Sequence, residues 1–137
     1  MLFRSQLVLP GDNPDVASLL LEHENGALST VNASYASASE NYVMNIYGKE
    51  ASAYYDLHGG LRLVRRGTEN AENVSFVKND VFVDELEEFA AAVRGQGTPE
   101  TGGEYATRSL GVMRAGILSA HAGRRVTVAD VLADPDA

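Results

Sequence analysis

The sequence predicts an α+β protein: an open, mostly antiparallel sheet with two or so helices on one face, the other face left for dimerisation or a ligand. Three observations carry this. Short Tyr- and Val-containing stretches broken by Gly and Asn turns occupy the first part of the chain. Long stretches of helical periodicity occupy the rest. Strands and helices do not alternate, which argues against a doubly wound parallel sheet. With 137 residues, the chain is expected to form one domain over 1–137.

"FRSQLVL" is a short first segment, ended by the turn-forming cluster "PGDNP" from Pro10 to Pro14. "DVASLLLEHENGALSTVNASYA" reads as a hairpin turning at Asn25-Gly26. A two-residue turn there sets Leu20 opposite Val31, Leu19 opposite Asn32, and Ala17 opposite Ser34. The strand over 15–24 is apolar on both faces, with Leu19 and Leu21 on one side and Val16 and Leu20 on the other. A sheet with one wet face alternates apolar and polar residues, so both faces here require cover.

Three further strands are predicted near 42–48, 51–57 and 61–66, with turns at Gly48-Lys49-Glu50 and His58-Gly59-Gly60. Residues 67–79 read as a loop with one edge strand at Val74 to Val77. In "DVFVDELEEFAAAVRG", Phe82, Leu86, Phe89, Ala90 and Val93 form an amphipathic stripe, with Asp80 as N-cap and Gly95 as C′ residue. Thr101 and Glu104 have capping-box spacing for a second helix. Its predicted inner face is Ala106, Leu110, Met113, Ile117 and Ala120, and Gly123 ends it. "RVTV" alternates and suggests a last strand, and an acidic tail over about 129–137 is expected to fray.

The net charge of -8 argues against nucleic acid and against anionic membranes as partners. No run of residues is long and apolar enough to span a bilayer, and no leader pattern is present, so a cytoplasmic location is expected. There is no cysteine, and His23, His58 and His121 show no ligand spacing, so no metal site is expected. "GTPETGGEYA" places glycines before a helix, but it follows a helix and lacks a Lys-Ser/Thr ending; helix capping explains it better than phosphate binding. Asp84, Glu85, Glu87 and Glu88 read as a solvated helix face rather than paired catalytic carboxylates.

The sheet carries the more informative residues. A two-residue turn at Lys49-Glu50 sets Asn45 opposite Tyr54, Tyr47 opposite Ser52 and Val43 opposite Asp56. Asn45, Tyr47, Tyr54, Tyr55 and Asp56, with Asn32 and Ser34 as further candidates, supply hydrogen-bonding groups and aromatic walls. Such a face suits a small-molecule ligand and equally a dimer surface, which is the plainer reading.

From about Asp15 to Val128 the chain resembles the C-terminal domain of the glucose-fructose oxidoreductase and inositol dehydrogenase family. The likeness lies in "DVASLLLEHENGALSTVNASY", in "MNIYGKEASAYYD", where Ala51 replaces a usual second glycine, and in "FVDELEEFAAAVRGQGTPETGGEYATRSLGVMRAGILSAHAGRRVTV". The resemblance implies an open sheet with helices on one face and an oligomer interface on the other. It also implies a nucleotide-binding domain with the nicotinamide and a catalytic Lys, and an Asp- and His-bearing helix ahead of Met1. None of these lies in this chain, so no family catalytic residue carries over, no cofactor is expected, and hydride transfer by this chain alone is not expected.

Two readings follow. In the first, the chain is a cofactor-independent cyclase or isomerase of a biosynthetic pathway. It would act as a homodimer and hold a largely apolar intermediate in a reactive conformer, with Tyr or Asn bonded to a carbonyl. In the second, it is the substrate-binding and dimerisation domain of an oxidoreductase, excised or degenerate. A non-catalytic scaffold is a third, weaker option.

Overall fold

A computed structural model describes residues 1–77 and 79–134. It is α+β, with all strand pairs antiparallel. The strands form two sheets, β1-β2-β3 and β4-β5-β6-β7. Backbone contacts divide the chain into two compact units: Met1–Ser37 with the segment from Glu88 onward, and Ala38–Glu87.

In the first unit, β2 (Val16–Glu22) lies between β1 (Leu2–Ser5) and β3 (Leu28–Ser34). The segment with no element predicted for it is thus an edge strand. The β2–β3 register differs by one residue from the sequence expectation: Leu20 lies opposite Thr30, Leu19 opposite Val31, and Ala17 opposite Ala33. The turn has three residues. His23 and Ala27 are paired by backbone hydrogen bonding, and Gly26 takes a φ of 82°. One glycine at positive φ suits a three-residue loop, whereas a two-residue type I′ turn needs two such residues. The Asn25 side chain accepts from Ala27 N–H and fixes the loop.

The segment between β1 and β2 closes on Asp15, which is 3% exposed. Its carboxylate accepts N–H bonds from Leu7, Val8 and Leu9 at 2.6 to 2.8 Å. The Leu9 and Val8 bonds are the chief reason its pKa lies below the ordinary 3.8; burial opposes this, and the Leu7 bond adds to it. A lowered folded value means the stabilisation is present above 3.8 and is lost as pH falls through the folded value. Asp15→Asn is expected to destabilise the chain at neutral pH and to flatten its stability on the acid side. Unfolding midpoints measured across that range for both proteins check this; parallel curves would contradict it.

α2 (Gly103–Ala122) packs on this sheet and on α3 (Val128–Ala133). Its buried residues are small: Gly111, Ala115, Gly116 and Ser119. A Cβ on Gly116 would lie 3.1 Å from Leu19 Cδ1, and one on Gly111 would lie 3.0 Å from Leu132 Cδ2. Close approach therefore selects glycine here. The predicted inner face is corrected: Leu110 and Met113 are exposed. The predicted capping box is also absent, since Gly102 is the N-cap and no side chain bonds there. The expected strand at "RVTV" is instead the approach to α3, where the Thr127 side chain accepts from Asp130 N–H at 3.1 Å. The tail expected to fray is helical through Ala133 and buries Val131, while 135–137 lie outside the described residues.

The second unit holds β4 (Val43–Tyr47), β5 (Ala51–Asp56), β6 (Gly60–Arg65) and β7 (Glu72–Val74). The edge strand thus falls earlier than the predicted Val74 to Val77. The two-residue turn at Lys49-Glu50 is present. Gly48 is required before it, because a Cβ there would meet the Ala51 carbonyl oxygen at 2.9 Å.

α1 (Val81–Val93) begins at Asp80, whose carboxylate accepts from Phe82 and Val83 N–H, and ends before Gly95 at a φ of 73°. Among the described residues Ala115 and Val131 are the buried apolar side chains, and α1 buries none. Phe82, Leu86, Phe89 and Val93 thus form an exposed apolar stripe. One member of the acidic run also shapes the backbone, since Glu88 accepts the Glu100 N–H at 2.8 Å and fixes the loop before α2.

Candidate functional site

The β4–β5 register places Asn45 opposite Tyr54, Tyr47 opposite Ser52 and Val43 opposite Asp56. The next ladder sets Tyr54 opposite Arg62, and the next sets Arg62 opposite Asn73. Directly opposed residues share a face. One row therefore crosses four strands as Asn45, Tyr54, Arg62 and Asn73. The Tyr47 and Tyr54 rings meet edge to face, with centroids 5.9 Å apart and planes at 81°. The Arg62 guanidinium lies 5.9 Å from the Tyr54 ring centre, within cation–π range.

This face combines phenol hydroxyls, amides, one guanidinium and two aromatic rings. It can hold a polar ligand by hydrogen bonds, place positive charge beside an anionic or carbonyl oxygen, and stack on an apolar ring edge.

Asp56 lies on the same face but is committed to the β5–β6 turn. Its carboxylate accepts from His58 N–H at 2.9 Å and Gly59 N–H at 2.8 Å. Those bonds, Gly59 first, hold its pKa below 3.8; burial opposes them, and the charges of His58 and Arg62 add a smaller pull. It remains a carboxylate at neutral pH, which leaves it unsuited to serve as a general acid there.

Tyr55 projects to the opposite face, with Met44 and Leu61 in its row. Adjacent strand residues cannot share a face, so Tyr54 and Tyr55 do not line one site. Asn32 and Ser34 lie in the other unit, on one face of β3 with Thr30. Leu19, on the other face of that sheet, meets α2 at Gly116. The near-continuous apolar character of β2 is thus half accounted for: Leu20 and Phe3 remain exposed on the face away from α2.

Arg62 and Asn73 join the site without being sequence candidates. The signal for Arg62 lies in "LRLVR", where Leu61 and Leu63 alternate with it. The observed turn spans residues 57–59 and pairs Asp56 with Gly60, which sets Arg62 opposite Tyr54; the turn expected at His58-Gly59-Gly60 would set Val64 there instead.

His23 Nε2 meets Ser29 Oγ at 2.8 Å, and His121 Nε2 meets the Arg4 guanidinium at 3.2 Å. Among the described residues no group of three or more His, Cys, Asp or Glu is placed to hold a metal ion, and no helix is long and apolar enough to cross a membrane.

The fold is similar to part of two solved proteins. No family model matches the chain, and no curated protein matches it. Among solved structures it is similar to a protein assigned as an NADPH-dependent oxidoreductase from Desulfitobacterium hafniense. The identity is 26% and the TM-score 0.83, over 96% of this chain and 42% of that one. It is also similar in fold to UDP-N-acetylglucosamine 3-dehydrogenase from Acidithiobacillus ferrooxidans. There the identity is 22% and the TM-score 0.61, over 72% of this chain and 32% of that one. The chain spans less than half the length of either protein.

Proposed function

We propose that the chain is the substrate-side and assembly domain of a nicotinamide-dependent oxidoreductase and works with a nucleotide-binding domain. The observation that carries this is the Desulfitobacterium likeness, which takes in 96% of this chain but 42% of the other protein. The exposed stripe on α1 supports it, because apolar helix faces of this kind are normally covered in a working assembly. In this reading the row of Asn45, Tyr54, Arg62 and Asn73, with Tyr47, contacts a polar small molecule, and a second copy of the chain completes the assembly. An acidic chain without cysteine suits a reducing cytoplasm. The experiment is titration of NADPH into the isolated chain, where no saturable binding is expected.

A cofactor-free cyclase or isomerase is the second reading. The preorganised Tyr47–Tyr54 pair with Arg62 favours it, since such a face can orient a flexible substrate and polarise a carbonyl. It requires turnover without nicotinamide and loss of that turnover in Tyr54→Phe. Tyr55, on the other face, would serve as the unaffected comparison.

A further inference from the structure

The four sheet edges among the described residues are not alike. β1 is four residues long and carries Arg4, β7 is three residues long and carries Glu72, and β3 is rich in Ser, Thr and Asn. Short length and charge are common ways of blunting an edge against pairing. β4 has neither. Val43-Met44-Asn45-Ile46-Tyr47 has no charge, no proline and no bulge against β5, and every residue of it is exposed. Among the described residues β5 is its hydrogen-bonded neighbour.

We propose that β4 pairs antiparallel with β4 of a second copy, centred on Asn45, joining two four-stranded sheets into one across a two-fold axis. The proposal rests on reading the chain as an assembly domain and names the surface that assembles.

The register follows from the backbone. Tyr42 accepts from Leu57 N–H and Gly48 donates to the Ala51 carbonyl, so the even-numbered residues of β4 direct their backbone groups to β5. The groups of Val43, Asn45 and Tyr47 point outward. A two-fold through Asn45 sets Asn45 against itself and Val43 against Tyr47 as hydrogen-bonded pairs, giving about six new bonds. Met44 then lies opposite Ile46 of the second copy. That extends the apolar face already formed by Met44, Ile46, Ala53, Tyr55, Leu61 and Leu63.

The strand is thus complementary to itself on both faces, and self-pairing brings no like charges together within β4. This favours a second copy over a foreign strand, because an isologous contact requires a patch that matches itself. It also joins the two Asn45–Tyr47 faces edge to edge, so Tyr47 of one copy borders Val43 of the other.

The test uses the full chain, which has no cysteine of its own. In Asn45→Cys the two thiols would sit at the axis, with Cα atoms about 5.5 Å apart. A short bifunctional thiol reagent should couple them. In Glu50→Cys, at the turn beyond the strand, the thiols would lie roughly 30 Å apart and should not couple. Asn45→Pro removes an outward N–H and leaves the β5 ladder intact. It should shift the sedimentation of the chain from dimer to monomer, with a dissociation constant raised at least about tenfold, while circular dichroism keeps its strand signal.

Coupling at Asn45→Cys with monomerisation by Asn45→Pro supports the proposal. A dimer that neither couples through Asn45→Cys nor dissociates in Asn45→Pro overturns β4 as the interface and leaves the assembly reading standing. A wild-type monomer at high concentration overturns the pairing and the self-assembly half of that reading together.

Discussion

Phe89→Ser is expected to change the stability of the isolated chain by no more than about 0.5 kcal/mol, as surface substitutions usually do. In an assembled enzyme the same change is expected to cost about 2–4 kcal/mol, as at interface anchor positions. The contrast arises because Phe89 is 63% exposed on α1, in one stripe with Phe82, Leu86 and Val93. An exposed ring has little contact to lose in the isolated chain, whereas a ring docked against another domain loses its whole buried face. Urea denaturation of the isolated chain gives the first value. The second comes from a chimera in which this chain replaces the matching part of the Desulfitobacterium oxidoreductase. Equal effects in both settings would mean the stripe faces water in the assembly too.

Gly116→Val is expected to destabilise the isolated chain by about 1–3 kcal/mol, the usual range for overpacking. Helix propensity alone would favour replacing this glycine by roughly 0.5 kcal/mol or less for a β-branched residue. The steric term opposes it, because the first added carbon already lies 3.1 Å from Leu19 Cδ1 and 3.7 Å from Leu2 Cβ. Valine adds two more carbons in the same direction, between α2 and the β1–β2 pair. A urea midpoint unchanged or raised by Gly116→Val would show that α2 does not press on this sheet at Gly116.

How legible each part is in the sequence depends on how many local constraints fix it. The β4–β5 hairpin is readable because Lys49-Glu50 leaves one register, and Gly48 has a steric reason to precede it. That register in turn brings Asn45, Tyr47, Tyr54 and Asp56 to one face. The β2–β3 hairpin slips by one residue because Asn-Gly belongs equally to a two-residue turn and to a three-residue loop with glycine at its end. The helical faces are harder. Leu110, Met113 and Ile117 make a regular stripe, yet the face that packs inside this chain is Gly111, Ala115, Gly116 and Ser119. Hydrophobic periodicity finds the face that wants cover, and that face is not the one covered within this chain. At Thr127 alternation suggests a strand, but Thr followed three residues later by Asp is also a helix start, and α3 forms there. Tyr55 groups with Tyr54 only by proximity in sequence, and a strand separates such neighbours onto opposite faces.

The most direct test of the central claim is fluorescence titration of NADPH with the isolated chain, run beside the chimera that carries a nucleotide-binding domain. No saturable signal is expected from the chain up to about 1 mM, the upper end of common enzyme affinities, and saturable binding is expected of the chimera. Saturable binding by the chain alone would place a nicotinamide site within these residues and contradict the account.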